Sequence, residues 1–226
     1  MTPAVRLDLH VHSERSPDSR LTLEAIVSGI RAAGLQGFAL TDHHTVAGLS
    51  GLRALAQRYP DLCLVPGVEV STAAGHLLAY GVEVAPPDRR PLEETIDWVR
   101  AQGGESVLPH PFRWAHGVGR TRAMTANVAA IETINGQNSG SANRAAERLA
   151  QDRRLGRTGG SDAHIVEGLG RAYTILEDAP ASVDDLLEAI RRNRTRADGR
   201  SLTLSGRLRW SVRNTGLRVR RGFRAV

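Results

Sequence analysis

The stretch LDLHVHSERSPDS, residues 7–19, sets two imidazoles two positions apart and follows them with an aspartate beyond a Ser-Pro turn. Residues i and i+2 of a strand share a face. His10 and His12 therefore project together from the end of the first apolar run, the geometry of a metal claw. Further along, TDHH brings His43 to the end of a second strand-like run, and PGVEVS holds Glu69. His76 opens HLLAYG, His110 closes VLPH, and GGSDAH carries Asp162 and His164. Asp18 completes a set of nine. Imidazole and carboxylate without a thiolate cluster favour zinc, manganese or iron, with magnesium admissible, over a Cys-based structural site. Nine such side chains exceed the needs of one ion, so two or three are expected.

For side chains so far apart in sequence to act together, the elements between them must bring them to one rim. VRLDLHV reads as a strand and TLEAIVSGIRAAG as a helix, with Thr22 as its N-cap and Gly34 as its stop. GFALTDH is strand-like, and VAGLSGLRALAQRY is helical up to Pro60. LCLVPGVEV and HLLAYGVEV follow as strands, the second placed to pair with the first. PLEETIDWVRAQGG is a helix with Pro91 near its start. ESVLPHP, AAIETING, GRTGGSDAH and AYTILE are strand-like; SANRAAERLAQDRR and SVDDLLEAIRRN are helical. This alternation predicts βα units and a mainly parallel sheet. Seven or eight units predict a closed barrel, whose strand ends meet on one face. An open doubly wound sheet is the alternative, but no Gly-rich dinucleotide or phosphate loop follows any strand.

With 226 residues and 41% hydrophobic content, the chain can bury one full core. No apolar run is long enough to span a bilayer. The first histidine motif is under way by residue 10, which leaves no room for a leader of the usual form, and a cytoplasmic location is expected. The lone Cys63, inside LCLV, reads as a small core residue. The chain has no lysine; its 30 basic residues are all arginine. Twelve of these lie between Arg191 and the C-terminus, against the single acid Asp198, whereas residues 1–190 hold 18 arginines and 23 acids. The expected division is a catalytic domain over 1–195 and an Arg-rich extension over 196–226. The extension is read as packing on the barrel or as a solvated tail, ahead of a polyanion-binding arm for nucleic acid.

In order, HVH with SPDS, LTDHHT, GVEVS, HLLAYG, LPHP, INGQN and GSDAH resemble the motif series of the PHP (polymerase and histidinol phosphatase) family, specifically its small stand-alone metal-dependent phosphoesterases. The resemblance runs from about Leu7 to His164. It implies a distorted (β/α)7 TIM-like barrel with a trinuclear centre. In that centre His10, His12, Glu69 and Asp162 hold one ion. Glu69 bridges to a second held by His76 and His110, and Asp18, His43 and His164 hold a third. Three carboxylates against three dications leave a net positive site that attracts a phosphate dianion. Such ions acidify bound water, so in-line attack by a metal-bridging hydroxide is the expected chemistry, with Glu69, Asp162 and His164 catalytic.

Other residues take roles around that centre. Arg113 and Arg171 stand beside ligand motifs as phosphate clamps. Asn135 reads as a hydrogen-bonding partner of substrate or water, or as a turn former. His116 reads as part of a lid or, like His164, as a proton donor, and Trp114 as a stacking or packing ring. Asp42 either orients a ligand ring or caps a helix; His44 is expected to pack structurally.

The expected activity is hydrolysis of a small, nucleotide-like phosphate ester. The alternatives are a 3′–5′ exonuclease, a histidinol phosphatase, or a metal-dependent binding or regulatory module without turnover. An amidohydrolase barrel is disfavoured because it typically bridges its metals with a lysine.

Overall fold

The computed structural model describes residues 4–201. Nine strands form one sheet in the spatial order β7-β6-β5-β4-β3-β2-β1-β8-β9. β1 (Val5–Val11), β2 (Gly37–Leu40) and β3 (Cys63–Thr72) run parallel. β3 then turns through Ala73 and Ala74 into β4 (Gly75–Tyr80), an antiparallel partner, as the adjacency of the two apolar runs predicts. β5 (Glu105–Leu108) is antiparallel to β4, and β6 (Ala130–Asn135) and β7 (Gly156–Gly160) continue in parallel. β8 (Ala172–Leu176) runs antiparallel to β1, and β9 (Thr195–Gly199) antiparallel to β8. The fold is therefore a single-domain mixed α/β barrel. It departs from seven regular βα units at the β3–β4 hairpin and at the β8–β9 pair. β9 runs across the boundary expected at 195/196; the remainder of the expected extension, 202–226, lies outside the described residues.

The ring closes where β7 meets β1 and β8, largely through side chains. Thr174 Oγ1 donates to Gly159 O (3.0 Å) and accepts from Gly159 N (2.9 Å). The buried Asp8 carboxylate accepts from Ser161 N (2.8 Å) and Gly170 N (3.0 Å). At the rim, Asp162 N donates to His10 O (2.7 Å) and His12 N to Ala163 O (3.1 Å). Glycine is required on β7: a Cβ at Gly160 would collide with His10 Cβ, and one at Gly159 with the Tyr173 carbonyl.

Helices cover the outside for readable local reasons. The Thr22 hydroxyl caps α1 (Leu23–Ala32) by accepting from Ala25 N, and Gly34 at φ +70° ends it. Ser139 caps α5 (Gly140–Arg153) and Ser182 caps α6 (Val183–Arg191) in the same manner. Helices α2 (Leu49–Arg58) and α3 (Leu92–Ala101) match the apolar spacing, while α4 (Gly119–Thr125) lies in a polar stretch where that spacing predicts no element. Leu7, Leu9, Ala39, Val65, Leu78, Val107 and Ala130 fill the barrel, and α6 closes the end opposite the site with Leu186, Leu187 and Ile190. Cys63 is half-buried at the edge of that cluster.

Candidate metal centre

At the rim end of the barrel, polar side chains replace the apolar filling. His10 and His12 leave the end of β1 on one face, both fully buried. Glu69 comes from β3 and His76 from the facing strand β4. His43 follows β2, His110 follows β5, and Asp162 and His164 follow β7. Asp18 lies in the loop after β1. All nine are at most 7% exposed. His110 (φ 31°) and Asp162 (φ 55°) sit in the left-handed region, a cost of about 1–2 kcal/mol each that the surrounding contacts carry. Both turns aim a side chain back over the barrel mouth.

Glu69 is the centre of the arrangement. Its Oε2 lies 3.2 Å from His10 Nε2, 3.2 Å from His12 Nε2 and 3.3 Å from His43 Nδ1. Its Oε1 lies 2.7 Å from His76 Nδ1 and 3.0 Å from His110 Nε2. Asp162 Oδ1 adds a second carboxylate oxygen 3.4 Å from His12 Nε2 and 3.7 Å from His10 Nε2. Asp18 Oδ1 lies 3.3 Å from His164 Nε2 and 3.8 Å from His43 Nε2. Donor atoms of three groups converge within 4.8 Å of one another: His10, His12, Glu69 and Asp162; His43, Glu69 and His76; His12, His43 and His164.

These groups fit divalent ions. His10 Nε2, His12 Nε2 and His43 Nδ1 are buried without hydrogen-bond partners, which in a dry interior is costly unless another ligand takes the lone pair. The electrostatics of the bare site agree. Burial opposes charge on Glu69, yet the surrounding imidazoles, His76 first, hold its carboxyl well below the usual range. Burial likewise opposes charge on Asp162, and His10 and Arg113 overcome it. Burial opposes charge on His12, but the adjacent Asp162 and Glu69 carboxylates raise it to about 9. His110 is pulled down to about 3 by burial and Arg113. Carboxylates kept anionic in a buried pocket call for positive charge, which divalent ions held by these residues would supply.

The remaining residues divide clearly. Arg113 reaches the centre: its Nη2 donates to Asp162 Oδ2 (2.6 Å) and Asn135 Oδ1 (2.8 Å), and its Nε to Asn138 Oδ1 (3.1 Å). Asn135 is buried in that network and donates to Glu132 Oε2 (2.9 Å). His116 is exposed, and its ring stacks on His76 with centroids 4.6 Å apart. Trp114, between Arg113 and His116, is fully exposed, so it does not pack. Arg171 precedes β8, where its backbone bonds Gly168 and Arg200. Asp42 does not cap α2, whose N-cap is Gly48. Its carboxylate instead accepts from Ser13 N (2.6 Å), Ser13 Oγ (2.7 Å) and Ser16 Oγ (3.0 Å). His44 bonds Ser71 Oγ (2.8 Å) on β3 and faces away from the centre. Glu132 is the member that reading the sequence missed. The one signal for it is an acid inside the apolar run AIETIN, which a buried strand tolerates only for a partner.

Family models match at both ends of this architecture: the PHP domain over residues 8–108 and the PHP-associated region over residues 140–195. The chain belongs to the PHP family. A stretch of 86 residues is 37% identical to a phosphoribosyl 1,2-cyclic phosphate 1,2-diphosphodiesterase of Eggerthella lenta, covering 35% of this chain and 32% of that protein. PsfC of Pseudomonas syringae PB-5123 superposes on this fold at a TM-score of 0.73 and 20% identity, over 97% of this chain and 99% of its own. A Bifidobacterium adolescentis protein, provisionally described as a metal-dependent phosphoesterase, superposes at a TM-score of 0.63 and 18% identity, over 89% and 98%.

Proposed function

We propose that this chain is a divalent-metal-dependent phosphoesterase that hydrolyses a small, nucleotide-like phosphate ester. The observation that carries the reading is the Glu69 carboxylate, buried, with imidazole nitrogens from five histidines within 3.3 Å of its two oxygens. A structural ion pair needs one cation per carboxylate; five ring nitrogens about one acid fit a bridge between ions. The Eggerthella lenta relative is named as a diphosphodiesterase, and the PHP membership fits hydrolysis of a phosphate ester.

In this reading His10, His12, Glu69 and Asp162 hold one ion, Glu69, His76 and His110 a second, and Asp18, His43 and His164 a third. Bound ions, of zinc, manganese or iron type, supply charge neutralisation on phosphoryl oxygens and acidify water. Arg113, fixed by Asp162, Asn135 and Asn138, presents the rest of its guanidinium to a phosphate at the mouth, a preorganised contact. His164 directs Nδ1 to the Asp162 carbonyl (2.9 Å) and Nε2 towards Asp18, the arrangement of a ligand. The leaving-group proton is therefore assigned to His116, whose exposed ring lies over His76. The nuclease and regulatory alternatives keep the same centre and differ in what enters it.

Purified protein is expected to hydrolyse an aryl phosphate, to lose that activity in a chelator and to regain it with manganese or zinc. Glu69→Gln abolishes turnover. Full activity in the chelator, or in Glu69→Gln, refutes the proposal.

A further inference from the structure

Two side chains that the phosphoesterase reading leaves without a task have the same construction. The Glu132 carboxylate, on β6 and 1% exposed, accepts from His10 Nδ1 through Oε1 (2.9 Å) and from the backbone N of His110 through Oε2 (3.0 Å). The Ser16 hydroxyl, fully buried, donates to Asp42 Oδ1 (3.0 Å); it accepts from His43 N (3.0 Å) and lies 3.1 Å from His12 Nδ1. Each side chain thus holds the ring of one β1 histidine and the backbone of a histidine that follows another strand.

Hydrogen-bond bookkeeping then fixes the tautomers. An ionised carboxylate only accepts, so His10 carries its proton on Nδ1. The single Ser16 proton is committed to Asp42, so His12 Nδ1 must donate as well. In both rings Nδ1 is thus the donor, and Nε2, 3.2 Å from Glu69 Oε2 in each case, is the nitrogen left to ligate once an ion takes the place of its proton. We infer that Glu132 and Ser16 are positioning residues: paired struts that set the tautomers of His10 and His12 and lock the spacing of His10 to His110 and of His12 to His43. The inference rests on the metal reading above. Such outer partners are worth about 10–100-fold in metal affinity.

Glu132→Gln tests this with little change of shape. With its amide oxygen on His110 N and Asn135 Nδ2, its NH2 faces His10 Nδ1. That nitrogen must then accept, which moves the proton to Nε2, the atom required as ligand. Full-length chelator-treated protein is titrated with zinc against a chromophoric chelator, and the ring-nitrogen protonation of the zinc-saturated protein is read from long-range proton–nitrogen NMR spectra. The expected result is a 10–100-fold weaker zinc site and a His10 that switches from Nδ1–H to Nε2–H, with the urea midpoint of the metal-free protein little changed. Wild-type zinc affinity and an unchanged His10 tautomer overturn the inference. Should Glu132→Gln fail to fold, Ser16→Ala carries the same titration, and unaltered zinc affinity there overturns it equally. Wild-type protein that binds no zinc sinks the metal reading itself, whereas wild-type binding matched by both variants sinks only the struts.

Discussion

At the scale of single residues, the candidate centre was legible because its chemistry is carried by types that are rarely wasted. His10 with His12, Glu69 inside an apolar run, and Asp162 with His164 each announce themselves by charge in a place that should be apolar. Their supports do not. Ser16 looks like any turn serine, and Glu132 like a strand acid, because partners on other segments give each its meaning: His10, 122 residues away, for Glu132, and Asp42 and His43 after β2 for Ser16. Arg113 was found from its neighbourhood alone, and its ion pair with Asp162 makes a sharp expectation. Arg113→Met should raise KM for a phosphate substrate about tenfold or more, since a charged hydrogen bond is worth about 1.5–3 kcal/mol, and steady-state kinetics measures it. Cys63 gives a second residue-scale test. Burial raises its thiol to about 11, so Ellman's reagent at pH 8 should react slowly with native protein and rapidly in denaturant.

At the scale of elements, the helices were readable from caps and apolar spacing, as Thr22 and Gly34 show around α1. Strand direction was not. Periodicity is blind to whether AYTILE runs with or against β1, and the antiparallel β8 follows from the short connection out of β7. The short helix α4 also escaped, because only Ala123 of its seven residues is buried. The seam between β7 and β8 depends on one hydroxyl serving both a donor and an acceptor of Gly159. Thr174→Val keeps the volume and removes both bonds, so it should cost about 1–3 kcal/mol in urea denaturation. Tyr80→Phe removes the bond from Tyr80 Oη to Leu9 O (2.7 Å) inside the barrel and should cost about 1 kcal/mol. Equal midpoints for Thr174→Val and wild type would show that the seam holds without its hydroxyl.

For the whole molecule, the buried imidazoles predict how the metal-free protein responds to pH. His10 and His12 titrate above their ordinary value in the folded state: burial lowers both, but Asp162 and Glu69 raise them further. Their contribution is complete below about pH 6.5 and is lost as pH rises, that of His12 as pH passes about 9. His43 and His110 are held below their ordinary value, by burial first and by cationic neighbours. The unfolded chain takes up protons on them below pH 6.5, so stability falls in that direction too. The urea midpoint of chelator-treated protein should therefore peak near pH 6–7 and decline on both sides. Saturating zinc should raise the unfolding free energy by about 2.7 kcal/mol for each site filled at a hundred times its dissociation constant.

The side-chain joint between the first strand and the seventh also dictates a sequence of events during folding. Residues 10 and 162 share a hydrogen bond across some 150 positions, and loops of that length close late because their entropy must be spent before any contact rewards it. A newly made chain can complete its early hairpin and outer helices while its cation-binding mouth is still open. In a refolding experiment, uptake of zinc should accordingly coincide with the last kinetic phase, and a cell short of the ion would meet this protein with its final joint unsealed.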